Sequence, residues 1–302
     1  MTEQALKIAF IGFGEAAEAF WTGLDQAEVL AATAYDIKTD SDDPGVRQAM
    51  LERYERLAVR GCASLADALA EADLVFSVVT ADQASVVANQ AAPLLKSGAL
   101  FLDCNSCAPQ TKQASAKAMA SGQGCYVDVA VMSPVNPKKN RTPLLLSGDY
   151  TEPAKVALDR LNMNATIEPG PVGRASSIKM VRSIMVKGME ALFAECLIAG
   201  RLAGVDEAVL ASLEASNPGF DGARKGGYNL ERMTQHGIRR AAEMEEVCHF
   251  LEHLGIADPL SARTVTWQQR LGSLGVTVDE NDYQASTDRL IESLKLNPMK
   301  EA

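Results

Sequence analysis

A glycine-rich hexapeptide directly follows an apolar run near the start of the chain. It reads Gly12, Phe13, Gly14, Glu15, Ala16 and Ala17, which fits the pattern G-x-G-x-x-A. In this pattern the first glycine allows a tight turn, the second lets a pyrophosphate approach the backbone, and the third small residue lets a helix pack on a strand. Free N–H groups at the start of the helix hold the phosphate. The hexapeptide therefore predicts a dinucleotide-binding loop.

Glu15 places a carboxylate in this loop, beside the expected phosphate. An acid in the first helical turn interacts favourably with the helix dipole, typically by about 0.3–1 kcal/mol, and its side chain can point away from the phosphate. A second hypothesis is that Glu15 faces the substrate or the nicotinamide ribose. The sequence is compatible with both.

The next strand-like run ends in Asp36, about 20 residues beyond the loop, where an acid accepts hydrogen bonds from the adenosine ribose. A carboxylate there would repel a 2′-phosphate, so the sequence favours NAD over NADP. Lys38 and Thr39 follow closely and keep NADP possible, and the alternative is that Asp36 is a solvated acid at a strand end. Val79 and Thr80 end a later strand-like run and are also predicted to bind the cofactor.

Charge and composition restrict the class of protein. The chain has 302 residues, a net charge of −10 and no run of five basic residues, so nucleic acid and anionic membranes are not expected partners. No uncharged apolar window reaches about 18 residues, and we expect a cytoplasmic protein. An anionic ligand would need locally placed bases.

Six scattered cysteines predict reduced thiols rather than a disulfide framework. Cys104 and Cys107 form a C-x-x-C spacing, which leaves a redox pair or a metal site as alternatives. With only three histidines and no second cysteine pair, we predict no metal site.

Strand-like and helix-like runs alternate from residue 6 to about residue 150, a pattern typical of a doubly wound, mostly parallel α/β sheet of the Rossmann type. From Ile178 onward the runs are almost all helical. We therefore predict a dinucleotide-binding domain over residues 1–170 and an all-α domain over residues 171–302, with a hinge at Pro169–Pro171. The glycine-rich stretch Ser216–Asn229 is predicted to be a flexible loop or lid.

Three further motifs resemble the β-hydroxyacid dehydrogenase superfamily, which includes 6-phosphogluconate dehydrogenase and 3-hydroxyisobutyrate dehydrogenase. They are FLDCNSCAP, DVAVMSPVNP and GRASSIKMVRS, and the C-terminal half is similar to a less characterised subgroup with its own helical domain. The resemblance implies that Asn105 and Ser106 touch substrate and nicotinamide. It also places Ser133 in the loop that holds the substrate carboxylate, where the usual Ser-Gly-Gly is replaced by Met132–Pro134.

The resemblance implies that Lys179 is the catalytic acid/base, because Lys-Met-Val opens the corresponding helix of 6-phosphogluconate dehydrogenase-like sequences. Ser183 lies four residues later and shares a helix face with Lys179. An amine can take a hydroxyl proton near neutrality where burial and neighbouring cations lower its pKa. The alternative is a solvated basic stripe on an amphipathic helix.

Further bases could hold an anionic substrate, although any of them could also be an ordinary surface residue. Arg182 and Lys187 lie on the lysine helix, and His236 and Arg240 lie on a later helix, roughly where relatives bring a basic residue over the nicotinamide. A structural hydrogen-bonding role is the alternative for His236.

The predicted function is a homodimeric NAD(P)-dependent oxidoreductase that interconverts a small β-hydroxyacid and its carbonyl form. Decarboxylating relatives use a glutamate seven residues after the lysine, where this chain has Val186. Glu190 lies about 16 Å along the helix from Lys179, so plain oxidation or reduction is expected. The alternatives are an imine reductase, which in relatives lacks the lysine, and a nicotinamide-binding sensor without turnover.

Overall fold

The computed structural model describes residues 5–297, and these residues form eight strands and eleven helices. The strands are β1 (Leu6–Ile11), β2 (Val29–Tyr35), β3 (Arg60–Gly61), β4 (Leu74–Ser77), β5 (Leu100–Asp103), β6 (Cys125–Val131), β7 (Leu144–Ser147) and β8 (Ala165–Ile167). The helices are α1 (Glu15–Trp21), α2 (Pro44–Arg56), α3 (Leu65–Leu69), α4 (Ala81–Ala91), α5 (Pro109–Met119), α6 (Thr151–Arg160), α7 (Arg174–Leu202), α8 (Asp206–Ser216), α9 (Gly222–His253), α10 (Leu260–Gly272) and α11 (Tyr283–Ser293).

All eight strands lie in one sheet with the order β3-β2-β1-β4-β5-β6-β7-β8. Every neighbouring pair is parallel except β6 and β7, which are antiparallel. The chain crosses from one half of the sheet to the other between β1 and β4, and ligands of open α/β sheets bind at the carboxyl ends of the strands beside such a crossing. The prediction of a doubly wound, mostly parallel sheet followed by a helical region is confirmed.

The central strands are buried on both faces because helices cover each side of the sheet. Side chains alternate along β1, so that Phe10 lies in one apolar cluster while Ala9 and Ile11 lie in the other. Phe10 stacks on Phe76 of β4 with the ring centroids 5.3 Å apart. This two-sided burial explains why the strands are continuous apolar runs in the sequence.

Two helices of the sheet region begin where the sequence supplies a start signal. The Asp43 carboxylate accepts hydrogen bonds from the backbone N–H groups of Gly45 and Val46, and Pro44 opens α2. Pro109 similarly opens α5 directly after the Cys104–Ala108 loop. A proline suits the first helical position because its missing N–H would have no partner there.

The short strands β3 and β8 and the helices α6 and α11 are not predicted from the sequence. Two- and three-residue strands are too short to produce an apolar period, and their pairing depends on β2 and β7, which are distant along the chain. The prediction of a flexible loop over Ser216–Asn229 is wrong from Gly222 onward, where α9 begins.

The glycines of that stretch permit close packing in α9 instead of flexibility. A Cβ on Gly227 would lie 2.1 Å from the Glu280 carbonyl oxygen, and one on Gly226 would lie 2.6 Å from Cδ1 of Leu197. Only glycine fits at such an approach. In the sequence this packing requirement has the same appearance as a mobile glycine-rich loop.

The chain divides into two compact units, the first ending at Lys179 and the second beginning at Met180. The helix α7 begins in the first unit and continues in the second. The second unit has an apolar core of its own, built around Leu197, Leu230 and Leu290. Over residues 5–297, no helix has the length and apolar character needed to cross a membrane.

Candidate active site

The glycine loop between β1 and α1 has the shape that a pyrophosphate requires. Gly12 has a φ of 80°, and a Cβ there would lie 2.8 Å from the Val78 carbonyl oxygen and 2.9 Å from Cγ1 of Val79. A Cβ on Gly14 would meet no atom within 4 Å, so the backbone faces open space at this position. The loop therefore fits the predicted cofactor, with Gly12 needed for the turn and Gly14 for close approach.

Asp36 at the end of β2 ties the glycine loop to the next strand. Its carboxylate oxygens accept hydrogen bonds from the backbone N–H groups of Phe13, at 2.7 Å, and Lys38, at 2.9 Å. The Phe13 side chain is fully buried against Phe10 and Tyr54. Phe13 thus shapes the loop through its backbone and its core packing.

Glu15 is exposed at the first turn of α1, and Ala16 beside it is half-buried. The Asn136 side-chain amide donates to Oε1 of Glu15 at 3.3 Å. Asn136 belongs to the segment after β6 that also carries the half-buried Ser133, whose hydroxyl donates to the Pro134 carbonyl. The carboxylate is thus directed towards the predicted substrate loop.

A row of buried polar side chains crosses the sheet from the carboxyl ends of β4 and β5 to the middle of β6. Strand register pairs Ser77 with Asp103, Asp103 with Asp128, and Asp128 with Ser147 of the antiparallel β7. All four side chains are fully buried. Such a row cannot be predicted from a single sequence, because the register between strands is not visible in it.

Asn105 joins the loops that follow β4 and β5. Its side-chain oxygen accepts from the Val79 N–H at 2.7 Å, and its amide nitrogen donates to Ser77 Oγ at 2.9 Å and to Asp103 Oδ1 at 2.8 Å. Both ends of the amide are therefore occupied by protein groups, an arrangement that suits a positioning role. Thr80, the last residue before α4, is exposed.

Ser106 lies in the same loop as Asn105. Its Oγ is buried and has no hydrogen-bond partner among the described residues. A buried hydroxyl that lacks a partner is costly, and a bound substrate or cofactor oxygen would satisfy it.

Asp128 holds the first turn of α7. Its Oδ2 accepts from the backbone N–H groups of Gly173, at 3.0 Å, and Ser176, at 3.1 Å, while its Oδ1 accepts from the Ser176 hydroxyl at 2.6 Å. Ser147 Oγ accepts from the Ala175 N–H at 3.0 Å. The start of the helix is therefore fixed to β6 and β7.

Lys179 follows one turn after Ser176 and is half-buried at the end of the first unit. Burial raises the pKa of the Cys104 thiol to about 12, against the opposing charges of Lys112 and Lys179. Lys179 therefore lies within electrostatic reach of the loop after β5. Cys104 and Cys107 are both buried.

In the second unit, Ser183 and Lys187 are both buried on α7. The Lys187 ammonium donates to Ser183 Oγ at 3.2 Å and lies 2.9 Å from Oε2 of Glu243 on α9. Arg182 is exposed on the same helix. Of the three, Ser183 and Lys187 are brought together and Arg182 faces solvent.

Arg240 on α9 is buried in an ion pair with Glu190 of α7, and Gln268 of α10 also donates to Glu190. His236 lies one turn before Arg240 and is half-buried. Within residues 5–297, no group of three His, Cys, Asp or Glu side chains could hold a metal ion.

A doubly wound sheet with this glycine loop and an acid at the end of β2 defines a dinucleotide-binding protein. Residues 7–159 match the NAD binding domain of 6-phosphogluconate dehydrogenase, and residues 201–271 match a domain of unknown function, DUF1932. The chain belongs to the family of that NAD-binding domain, and its cofactor is a nicotinamide dinucleotide.

Solved structures with the same fold extend over nearly the whole chain. A conserved hypothetical protein from Sinorhizobium meliloti 1021 is 35% identical with a TM-score of 0.77, covering 96% of this chain and 97% of that one. The 3-hydroxyisobutyrate dehydrogenase of Mycobacterium tuberculosis is 14% identical with a TM-score of 0.73, covering 95% and 99%. An imine reductase variant from Myxococcus stipitatus, solved with NAD+, is 18% identical with a TM-score of 0.56, covering 94% and 99%.

The two enzymes share only the fold at this level of identity. The family match gives the coarse class, an NAD(P)-dependent dehydrogenase or reductase.

Proposed function

We propose that this protein interconverts a small β-hydroxyacid and its carbonyl form, with NAD as cofactor and Lys179 as acid/base. The observation that carries the proposal is the position of Lys179 on α7. The first turn of that helix is hydrogen-bonded to Asp128 and Ser147, and the lysine charge acts on Cys104 in the loop after β5. An amine held at this edge of the sheet lies on the same side as the glycine loop.

In the oxidation direction, a bound nicotinamide supplies the hydride acceptor. The neutral Lys179 amine takes the substrate hydroxyl proton while the C–H electron pair leaves with the hydride, so that a C=O bond forms. In the reverse direction the protonated lysine returns that proton to the carbonyl oxygen. General acid–base catalysis of this kind typically contributes about 10²–10⁴-fold.

Ser106 supplies a polar contact expected for a small anion, and Ser183, in the second unit, has contacts of its own. Because Lys187 donates to Ser183 Oγ, the Ser183 hydroxyl is left to donate its own proton to another acceptor. The Ser106 hydroxyl is buried without a partner among the described residues. A buried hydroxyl donor such as Ser106 suits a carboxylate or hydroxyl oxygen of a β-hydroxyacid.

NAD is proposed over NADP because the Asp36 carboxylate is held in a fixed position. Its two oxygens each accept a backbone N–H, which fixes the carboxylate at the end of β2. A fixed negative charge there would repel a 2′-phosphate. Lys38 beside it is the residue that would oppose this preference.

The test is an absorbance assay of nicotinamide reduction with 3-hydroxyisobutyrate, 3-hydroxypropionate, glycerate and serine, each with NAD+ and NADP+. We expect turnover with at least one acid, preferably with NAD+, and a fall of at least about 100-fold in Lys179→Ala. Lys117→Ala, which removes an exposed lysine of α5, is the matched control. Full activity in Lys179→Ala would disprove the assigned mechanism.

An imine reductase is the second candidate, because solved imine reductases share the fold. Retention of Lys179 argues against it, and turnover of a cyclic imine with NADH but of no hydroxyacid would favour it. Tight NAD+ binding without turnover of either class would support a sensor protein. Stoichiometric CO2 release from the true substrate would contradict plain oxidation.

A further inference from the structure

A lysine that the proposed mechanism does not use is fully buried beside the candidate site. Lys112 of α5 has no exposed side-chain area, and its ammonium lies 2.8 Å from Asp103 Oδ1 and 3.6 Å from Asp128 Oδ1. It also donates to the Asp103 carbonyl oxygen at 2.6 Å. A buried ammonium is costly to desolvate, so its retention calls for a specific role.

Each of the two carboxylates holds a different part of the site. Asp103 Oδ1 accepts from the Asn105 backbone N–H at 3.0 Å and from its side-chain amide at 2.8 Å. Asp128 accepts from the N–H groups of Gly173 and Ser176 and from the Ser176 hydroxyl. One carboxylate therefore fixes the Asn105 loop, and the other fixes the helix turn that precedes Lys179.

The groups around Lys112 and Tyr126 determine whether each of these side chains keeps its proton. Burial alone would lower the pKa of Lys112, but Asp103, Cys107 and Asp128 outweigh burial and raise it, so that Lys112 stays protonated. Burial and the Asp103 charge raise the pKa of Tyr126 well above its usual value. The Tyr126 hydroxyl therefore remains a donor to Asp103 Oδ2, at 2.6 Å.

Without Lys112, two carboxylates on neighbouring strands would face each other in a buried space. Their charges would repel each other, with no cation between them to hold the two side chains in place. A carboxylate that turns away loses its hydrogen bonds, and charge-assisted hydrogen bonds of this kind are roughly twice as strong as neutral ones. The N–H groups of Asn105, Gly173 and Ser176 would then be held less firmly.

We propose that Lys112 is a positioning residue for Lys179: its buried ammonium bridges Asp103 and Asp128, and these carboxylates in turn hold the Asn105 loop and the first turn of α7 in place. The inference rests on the proposed function, since it gives Lys112 its effect through Lys179. Lys112 itself touches neither substrate nor cofactor in this scheme.

The experiment compares Lys112→Met with wild type and with Lys117→Met, an exposed lysine of the same helix. Hydrogen exchange of the Gly173 and Ser176 amides is expected to be at least about tenfold faster in Lys112→Met, with the amides of β1 and β4 unchanged. With the β-hydroxyacid that turns over best, kcat is expected to fall at least about tenfold while KM and the NAD+ Kd stay within about threefold. Wild-type exchange at these two amides together with wild-type kcat would overturn the proposal.

A general loss of stability gives a different result. Hydrogen exchange would then be faster throughout the sheet, and kcat would not fall selectively relative to KM. This result would also overturn the proposal. If Lys112→Met does not fold, two milder variants replace it. Ser176→Ala removes one hydrogen bond to the Asp128 carboxylate, Tyr126→Phe removes one to the Asp103 carboxylate, and neither changes a charge. Unchanged kcat in both would count against the proposal, and a selective fall in kcat would support it.

The exchange measurement needs no substrate, so the two proposals fail separately. Full activity in Lys179→Ala rejects the proposed mechanism, whatever Lys112 does. Loss of activity in Lys179→Ala, with wild-type exchange and kcat in Lys112→Met, rejects only the positioning role.

Discussion

At the scale of single residues, Glu15 shows how a neighbour decides the role of a side chain. Its contact with Asn136 directs the carboxylate towards the loop after β6 instead of into the pyrophosphate position. We predict that Glu15→Gln leaves the NAD+ Kd within about twofold and raises KM for the acid substrate, since the change alters the loop and not the phosphate site. Titration calorimetry with NAD+ and steady-state kinetics measure the two. Glu18→Gln on the same helix is the control, and unchanged KM and turnover in Glu15→Gln would leave only the helix-dipole role.

The two cysteines of the C-x-x-C spacing make a second prediction at this scale. Burial, helped by Asp103, raises the pKa of Cys104 to about 12, so the thiol stays protonated and unreactive at any pH well below that value. Cys104 should therefore resist iodoacetamide in the folded protein up to about pH 9. Cys107 should resist it because its side chain is buried, whereas Cys125, which is partly exposed, should react. Mass spectrometry of the labelled peptides provides the measurement. Rapid native labelling of Cys104, or formation of a Cys104–Cys107 disulfide under mild oxidation, would instead favour the redox alternative.

At the scale of elements, a buried ion pair joins α7 and α9 in the second unit. Glu190 accepts from both Arg240 and Gln268, and all three side chains are buried. Arg240→Met would leave the Glu190 charge without its cation, which typically costs about 3–5 kcal/mol. Urea unfolding followed by circular dichroism should show this loss in the free energy of unfolding. The control, Arg239→Met, removes an exposed partner of Glu243 and should cost no more than about 1 kcal/mol.

Some parts of the site can be predicted from the sequence, and others depend on how distant elements pair. Gly12, Gly14 and Asp36 are visible because each is required by local backbone geometry at a strand end, within a short stretch of chain. Lys112 is not visible, because it sits in an alanine-rich helix and its partners Asp103 and Asp128 come together only through the register of β5 and β6. Arg240 and Lys187 have the sequence appearance of ligand-binding bases, yet each is paired with an acid on another helix.

At the scale of the whole molecule, α7 carries two unlike faces within the second unit. Ser183, Lys187 and Glu190 are buried on one face. The opposite face exposes large apolar side chains at helical spacing, namely Val181, Met185, Met189 and Leu192. Contiguous apolar surface of this kind is typical of a protein–protein interface, and each Å² buried contributes about 25 cal/mol.

We therefore expect the protein to form a homodimer in which a second copy covers this face of α7. Met185 is 63% exposed, and Met185→Glu would place a charge in the middle of the apolar stripe. Light scattering after size-exclusion chromatography should give a dimer mass for wild type and a monomer mass for Met185→Glu at about 10 µM protein, because an unpaired buried charge typically costs several kcal/mol. Val156→Glu, which alters a similarly exposed apolar residue of α6 in the first unit, should remain dimeric. A monomeric wild type, or a dimer unaffected by Met185→Glu, would show that this face has another use.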